Sequence, residues 1–143
     1  MARIKIDLPA SFQFSTSFDV RITDLNYGEH VGNDKVLSFL HEGRVRYLHS
    51  LGYTEMNLEG VGMIMADAAL VFKSEIFYGD ELLISLQPAE CTRAGFELIY
   101  KIEKKGADKL EIVATARTTM ICYDYNLKKI TSLPEPAKNK LFP

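Results

Sequence analysis

The sequence predicts an α+β domain in which an antiparallel sheet of about five strands wraps around one long central helix. Three observations lead there. Only residues 33–51 carry apolar side chains at helical spacing over several turns. The segments on either side carry strand patterns closed by turn-forming residues. A chain of 143 residues with 47% hydrophobic content is enough for one core and too short for two.

Taken in order, Phe12, Phe14, Phe18, Val20 and Ile22 alternate with Gln13, Ser15, Ser17, Asp19 and Arg21, the pattern of a half-buried strand. If the extended backbone continues two further steps, Asp24 and Asn26 join the apolar row and face the core side. Asn33 or Asp34 then caps a helix running to about Leu51, with Gly52 as its stop signal. Its buried stripe is Val36, Leu37, Leu40, Gly43, Tyr47, Leu48 and Leu51, while Lys35, Ser38, Glu42, Arg46 and His49 lie opposite. Strands are expected at 63–73, 82–87, 96–103 and 110–123, bounded by Tyr78-Gly79-Asp80, Arg93-Ala94-Gly95 and Lys105-Gly106-Ala107-Asp108. Short connections call for antiparallel pairing of successive strands. The tail after Tyr125, with Pro134, Pro136 and Pro143, reads as a covering segment with one short helical turn.

Several function classes drop out. A formal charge of −2, with lysines and arginines scattered among acids, gives no electrostatic case for nucleic acid. Lys101, Lys104, Lys105 and Lys109 surround a turn and read as a solvated hairpin tip. No apolar stretch approaches the length of a membrane span, and the N-terminus lacks the apolar core of a secretory signal, so a cytoplasmic location is expected. Cys91 and Cys122 lie outside any metal or redox spacing and are expected to be reduced.

The chemistry concentrates in Val20–Asp34, V-R-I-T-D-L-N-Y-G-E-H-V-G-N-D, a connection rich in carboxylates, carboxamides and glycines. Loops placed by a rigid scaffold are where sites usually form. Asp24 can hold a water together with the Asn26 amide, or simply accept hydrogen bonds from loop amides. His30 brings an imidazole, whose ordinary pKa near ~6.5 suits proton transfer. The helix start near Asn33 offers unpaired N–H groups and a positive dipole end. Glu42 with Arg46 makes an i,i+4 surface pair. Arg44 falls beside the apolar stripe and needs an internal carboxylate or an intersubunit contact. Asp67 interrupts an apolar strand, either paired inside or solvated outside. Cys122 shares a strand face with Ala114, Ala116 and Met120, as a small core residue would.

The run D-L-N-Y-G-E-H-V-G-N-D, followed by S-F-L-H-E-G-R and later by Y-G-D-E-L at 78–82, resembles hotdog acyl-CoA thioesterases related to 4-hydroxybenzoyl-CoA thioesterase. Those relatives read approximately D-x-D-x-x-G-H-V-N-N, with E-x-R in the helix, and similar carrier-protein thioesterases read D-x-D-x-N-x-H-V-N-N. The resemblance covers nearly the whole chain. It implies the hotdog fold and hydrolysis of an acyl-CoA, or acyl-carrier-protein, thioester without metal or redox cofactor. Asp24 matches the first acid and His30 the histidine, while Asn33 matches the second asparagine and Glu42 and Arg44 the E-x-R. Asn26 stands where the family has its second acid, the carboxylate most often assigned to catalysis, and Gly32 replaces the first asparagine. An amide accepts no proton at neutral pH, so Asn26 cannot inherit that role unchanged.

The roles implied are these. Asp24 with Asn26 positions or activates water, His30 orients or transfers a proton, and the helix start near Asn33 stabilises the oxyanion. Tyr27, Gly28, Val31 and Asn33 contact substrate, with Tyr27 gating the acyl pocket or only covering the loop. Glu42 and Asp67 are secondary candidates. Met56, Met63, Met65 and Met120 fill core or acyl-tunnel space. A non-catalytic acyl-CoA binding or sensing module, favoured by Asn26, is the alternative; a hydroxyacyl-thioester dehydratase is the weaker third. The strand near 63–73 is expected to be an edge that joins a second copy in a homodimer or homotetramer.

Overall fold

The computed structural model describes residues 3–143. Its elements are β1 (Phe14–Asp19), a 3-10 turn (Ile22–Asp24), α1 (Asn33–Ser50), β2 (Gly62–Phe72), β3 (Glu81–Thr92), β4 (Gly95–Lys105), β5 (Leu110–Asp124), β6 (Lys129–Ile130) and α2 (Glu135–Leu141). The predicted strands and the long helix are all present, with boundaries shifted by a residue or two except for β1, which is shorter and ends at Asp19, and β3, which is longer. All strand pairs are antiparallel, in the order β1-β3-β4-β5-β2, with β6 pairing the end of β5 beyond β4, on the side opposite β2.

Successive strands pair along β3-β4-β5, but β2 and β3 do not pair: β2 lies at one edge and β3 sits beside β1 near the other. The short link between them crosses the end of the sheet and meets its hydrogen-bonding needs on the way. Lys73 N donates to Val113 O at 2.9 Å, Ile76 O accepts from Val31 N at 2.8 Å, and Glu75 O accepts from Lys104 Nζ at 3.0 Å. Sequence proximity could not foresee a crossing whose partners are so remote. The same crossing ties the loop before α1 to the sheet.

The sheet curls around α1, whose Val36, Phe39, Leu40, Tyr47 and Leu48 pack with Leu82, Ile84, Leu86, Leu98, Tyr100, Ile102, Ala116 and Met120 in one core. This is the expected hotdog layout. The helical stripe is rotated from its expected position: Phe39 is buried, Leu37 is 38% exposed, and Leu51 is only partly buried. Leu37 instead borders a groove beside Met65 of the edge strand. Gly52 ends the helix with φ 85°, donating to His49 O while Tyr53 N donates to Leu48 O. The tail exceeds its one expected turn, because α2 spans seven residues and buries Ala137 and Leu141. Among the described residues no helix is long and apolar enough to cross a membrane.

Gly43 sets the approach of α1 to the sheet. A Cβ there would lie 3.1 Å from Ile84 Cγ2 and 3.3 Å from Leu86 Cδ1. Gly43→Val should therefore lift the helix off β3 and cost about 1–3 kcal/mol, measured as a lower urea midpoint. An unchanged midpoint would show that the packing is looser than this geometry.

Candidate active site

The first strand's alternation stops at Val20. The chain turns through Ile22–Asp24 as a 3-10 turn, leaving Ile22 66% exposed, Asp24 buried and Asn26 exposed. The expectation that Asp24 and Asn26 share one core-facing row is thereby corrected, because a tight helical turn breaks the two-residue period. Asp24 Oδ2 accepts from Arg21 N at 2.9 Å, and the Arg21 guanidinium lies within 3.3 to 3.4 Å of the carboxylate. Asp24 thus caps the turn that aims the loop, and its carboxylate is already committed.

From there the loop folds back on itself. Leu25 and Val31 form a single antiparallel bridge, Asn26 N donates to His30 O at 2.9 Å, and Glu29 takes a left-handed φ of 67°. Asn26 Oδ1 accepts from Gly28 N at 2.8 Å, a turn that asparagine favours. Its side chain lies alongside Gly32: a Cβ on Gly32 would lie 3.6 Å from Asn26 Cβ, 3.7 Å from Asn26 Nδ2 and 2.6 Å from Asp34 Oδ1. A Cβ on Gly28 would lie 3.2 Å from Asn26 Oδ1 and 3.3 Å from His30 Nε2. Small residues at 28 and 32 thus let Asn26, His30 and the helix start crowd together.

Gly32 is the helix N-cap, in place of the expected Asn33 or Asp34, and no side chain caps it. The first N–H groups of α1 are therefore free of a side-chain acceptor, at the positive end of the helix dipole. On one side of this end, His30, Val31, Asn33 and Val36 line an open cleft of about 270 Å³ whose far wall runs from Phe72 through Lys73, Ser74 and Glu75 to Ile76, with Val113 beside it. On the other, Asp34, Leu37, Ser38, His41, Arg44, Glu55 and Met65 line a groove of about 380 Å³. Among the described residues no group of three or more His, Cys, Asp or Glu is placed to hold a metal ion.

The remaining candidates stand apart. Tyr27 is fully exposed. Glu42 pairs with Arg46 at 2.8 Å, as its spacing suggested, and lines a different surface with Phe18 and Asp19. Asp67 is exposed at an irregularity of β2. Cys122 lies in the core, where burial pushes its thiol up to about 11.

Sequence reasoning missed a network behind the second groove. Buried Arg44 donates from Nε to Glu55 Oε2 at 3.1 Å and from Nη1 to the Tyr100 hydroxyl at 3.1 Å, and that hydroxyl meets Thr118 Oγ1 at 2.7 Å. Glu55 Oε1 lies 2.6 Å from His41 Nε2. Burial disfavours charge on Arg44, but the adjacent Tyr100 hydroxyl and Glu55 carboxylate outweigh it and raise its pKa above the ordinary value. Burial also raises that of the Tyr100 phenol. The internal carboxylate that Arg44 was expected to need is Glu55. The charge beside the apolar stripe signalled a partner but could not say which.

Residues 20–141 match the thioesterase-like superfamily over most of the chain. The chain belongs to that superfamily. A 1,4-dihydroxy-2-naphthoyl-CoA hydrolase from Nostoc punctiforme is 29% identical over 128 residues, which cover 85% of this chain and 82% of the relative. A hydrolase of the same name from Thermosynechococcus vestitus is 25% identical, covering 71% of this chain and 69% of its own. In structure the superfamily fold is equally clear. A 1,4-dihydroxy-2-naphthoyl-CoA thioesterase from Synechocystis superimposes with a TM-score of 0.79 at 22% identity, covering 90% of this chain and 94% of its own. A mutant 4-hydroxybenzoyl-CoA thioesterase complexed with 4-hydroxybenzoyl-CoA gives 0.82 at 15% identity, covering 90% and 97%.

The geometry makes a specific demand on Asp24. Asp24→Ala should remove the cap and leave Arg21 N without its acceptor, costing about 1–2 kcal/mol in a urea melt. Asp24→Asn keeps an acceptor oxygen and should lose less than half of that. Equal losses would mean that the charge, and not the cap, carries the interaction.

Proposed function

We propose that this superfamily member hydrolyses an acyl-CoA thioester to free acid and coenzyme A, with an aromatic acyl group as its substrate class. One observation carries the reading: the start of α1, which no side chain caps, and the Asn26 carboxamide lie together beside Gly32, next to a cleft in which Val31, Val36, Phe72, Ile76 and Val113 alternate with polar groups. A thioester carbonyl directed at this point meets N–H groups where its oxygen becomes negative, which is what acyl transfer requires. The curated relatives, both named for a bicyclic aromatic acyl-CoA, support the substrate class.

In this proposal Asn26 is a donor to the oxyanion or to the attacking water. His30 orients substrate or relays a proton, Gly28 and Gly32 permit close approach, and Val31 and Asn33 contact the substrate. Tyr27 acts from the rim. Asp24 serves through the loop it caps, while Glu42 and Asp67 stay outside the chemistry. We place the enzyme in the cytoplasm and as a homo-oligomer: one side of β2 pairs with β5, and the other carries exposed Met65 and Asp67 on an edge suited to a second copy.

A non-catalytic acyl-CoA sensor remains the second reading, because Asn26 accepts no proton and Asp24 is engaged by Arg21. Thiol release measured over aryl, short-chain and long-chain acyl-CoA substrates separates the two: the enzyme should turn over aryl-CoA fastest, and a sensor should bind without release. Asn26→Ala should lower kcat by about 10- to 100-fold, less than the ~100- to 1,000-fold of an enclosed oxyanion donor, with KM nearly unchanged. An active enzyme indifferent to this change would remove Asn26 from the mechanism.

A further inference from the structure

Hydrolysis needs a group that takes a proton from water, and the loop supplies none that a carboxylate holds in place. Asn26 cannot do it, and the Asp24 carboxylate is engaged by the Arg21 amide and guanidinium. His30 leaves Nε2 open, but its Nδ1 meets only a backbone carbonyl, Val31 O at 3.1 Å, and no carboxylate orients the ring. We propose that His41, held by Glu55, is the general base of the reaction, an assignment that rests on the acyl-CoA hydrolase reading above.

The pair has the construction of an oriented base. His41 Nε2 is 2.6 Å from Glu55 Oε1, a distance at which the imidazole donates to the carboxylate. The other ring nitrogen, Nδ1, then has its lone pair free, and it has no protein partner among the described residues. Glu55 is itself fixed through Oε2 by Arg44, and Arg44 is anchored by Tyr100 and Thr118 inside the barrel. An ordinary surface ion pair is worth little and is held by nothing behind it. Here a half-exposed imidazole is steered by a carboxylate that a buried cation holds in place. A base oriented by a third group is the arrangement that acyl-transfer sites use.

Position supports the same role. Asp34, Leu37, Ser38 and His41 recur at helical spacing and line one groove that begins at the first turn of α1. His41 is seven residues from Asp34, roughly 10 Å of helix rise, and helical side chains lean back toward the N-terminus. The remaining gap accommodates an oxyanion on the helix start, the carbonyl carbon and one water in line, each contact about 3 Å. His41 Nδ1 takes a proton from that water as its oxygen bonds to the carbonyl carbon. The tetrahedral intermediate then collapses, and the C–S bond breaks with its electron pair going to sulfur. The imidazolium returns the proton to the thiolate, giving acid and coenzyme A thiol.

The experiment compares the natural protein with His41→Gln, His41→Ala and Glu55→Gln, measuring thiol release from an aryl-CoA and, separately, equilibrium binding of the same aryl-CoA. His41→Gln should lower kcat by about 100- to 10,000-fold with affinity within a few-fold of natural. Added imidazole should restore part of the turnover of His41→Ala. In the natural protein kcat should rise with pH as the imidazole becomes neutral. Glu55→Gln, which removes the carboxylate that orients the ring, should lower kcat with affinity within a few-fold of natural; Asp34 and Arg44 are the other charged groups lining the groove. Near-natural turnover in His41→Gln overturns this assignment and leaves the hydrolase reading intact, and so does a loss of turnover matched by an equal loss of binding. A natural protein that binds acyl-CoA and releases no thiol overturns both.

Discussion

The guanidinium of Arg44 is the one cation enclosed in the core among the described residues, and the placement of the central helix depends on how it is satisfied. It reaches in one direction to Tyr100 on β4, which meets Thr118 on β5, and in the other to Glu55 in the segment after α1. Breaking such a pair from one side leaves an uncompensated buried charge, a penalty of roughly 3–5 kcal/mol. The constraint is directional as well as strong. With Gly43 seated against Ile84 and Leu86 one residue earlier, the helix has little freedom to rotate or slide over the sheet. That fixes which residues of its first turns face the two clefts.

The loop before the helix is held by a different set of bonds. Asp24 caps its entry, the Leu25–Val31 bridge closes it, and Val31 N ties its exit to Ile76 O in the strand crossing. The Asn26 carboxamide completes the turn with its oxygen, and its side chain lies beside Gly32 at the helix start. In the proposed reaction, structure and chemistry are divided between the two ends of this one side chain. An aspartate at this position could keep the first contact, but it would lose the donor.

Much of this architecture was legible because it is written in short periods. Alternation located β1, turn residues bounded β3, β4 and β5, and the apolar helical spacing located α1 with its glycine stop. The failures share a physical cause, in that each depends on partners distant in sequence or on a break in the period. The 3-10 turn at Ile22–Asp24 ended an alternation that composition alone would have continued. The separation of β2 from β3 is decided by hydrogen bonds from a link to β4, β5 and the loop. Leu37 was assigned to the core because a wide helical stripe does not say which of its flanks meets sheet and which meets a groove. Glu55 lies in an irregular stretch of single bridges with no period to read, and so the group that pairs with both Arg44 and His41 carried no local signal.

The substitution at Asn26 and the imidazole at His41 make sense as one arrangement. Asp34 already sets one carboxylate at the first turn of α1, and a second at position 26 would add charge beside the N–H groups that a thioester oxygen needs. A carboxamide has no charge to compete with the oxyanion and adds a donor of its own. It also gives up the capacity to take a proton, so the base must come from elsewhere and from an element rigid enough to hold it in register with the donors. The same helix that ends in those donors provides that rigidity, since its distance from Asp34 to His41 is set by backbone geometry and its orientation by Arg44. In the proposed reaction loop and helix carry separate halves, the loop stabilising charge on oxygen and the helix moving the proton.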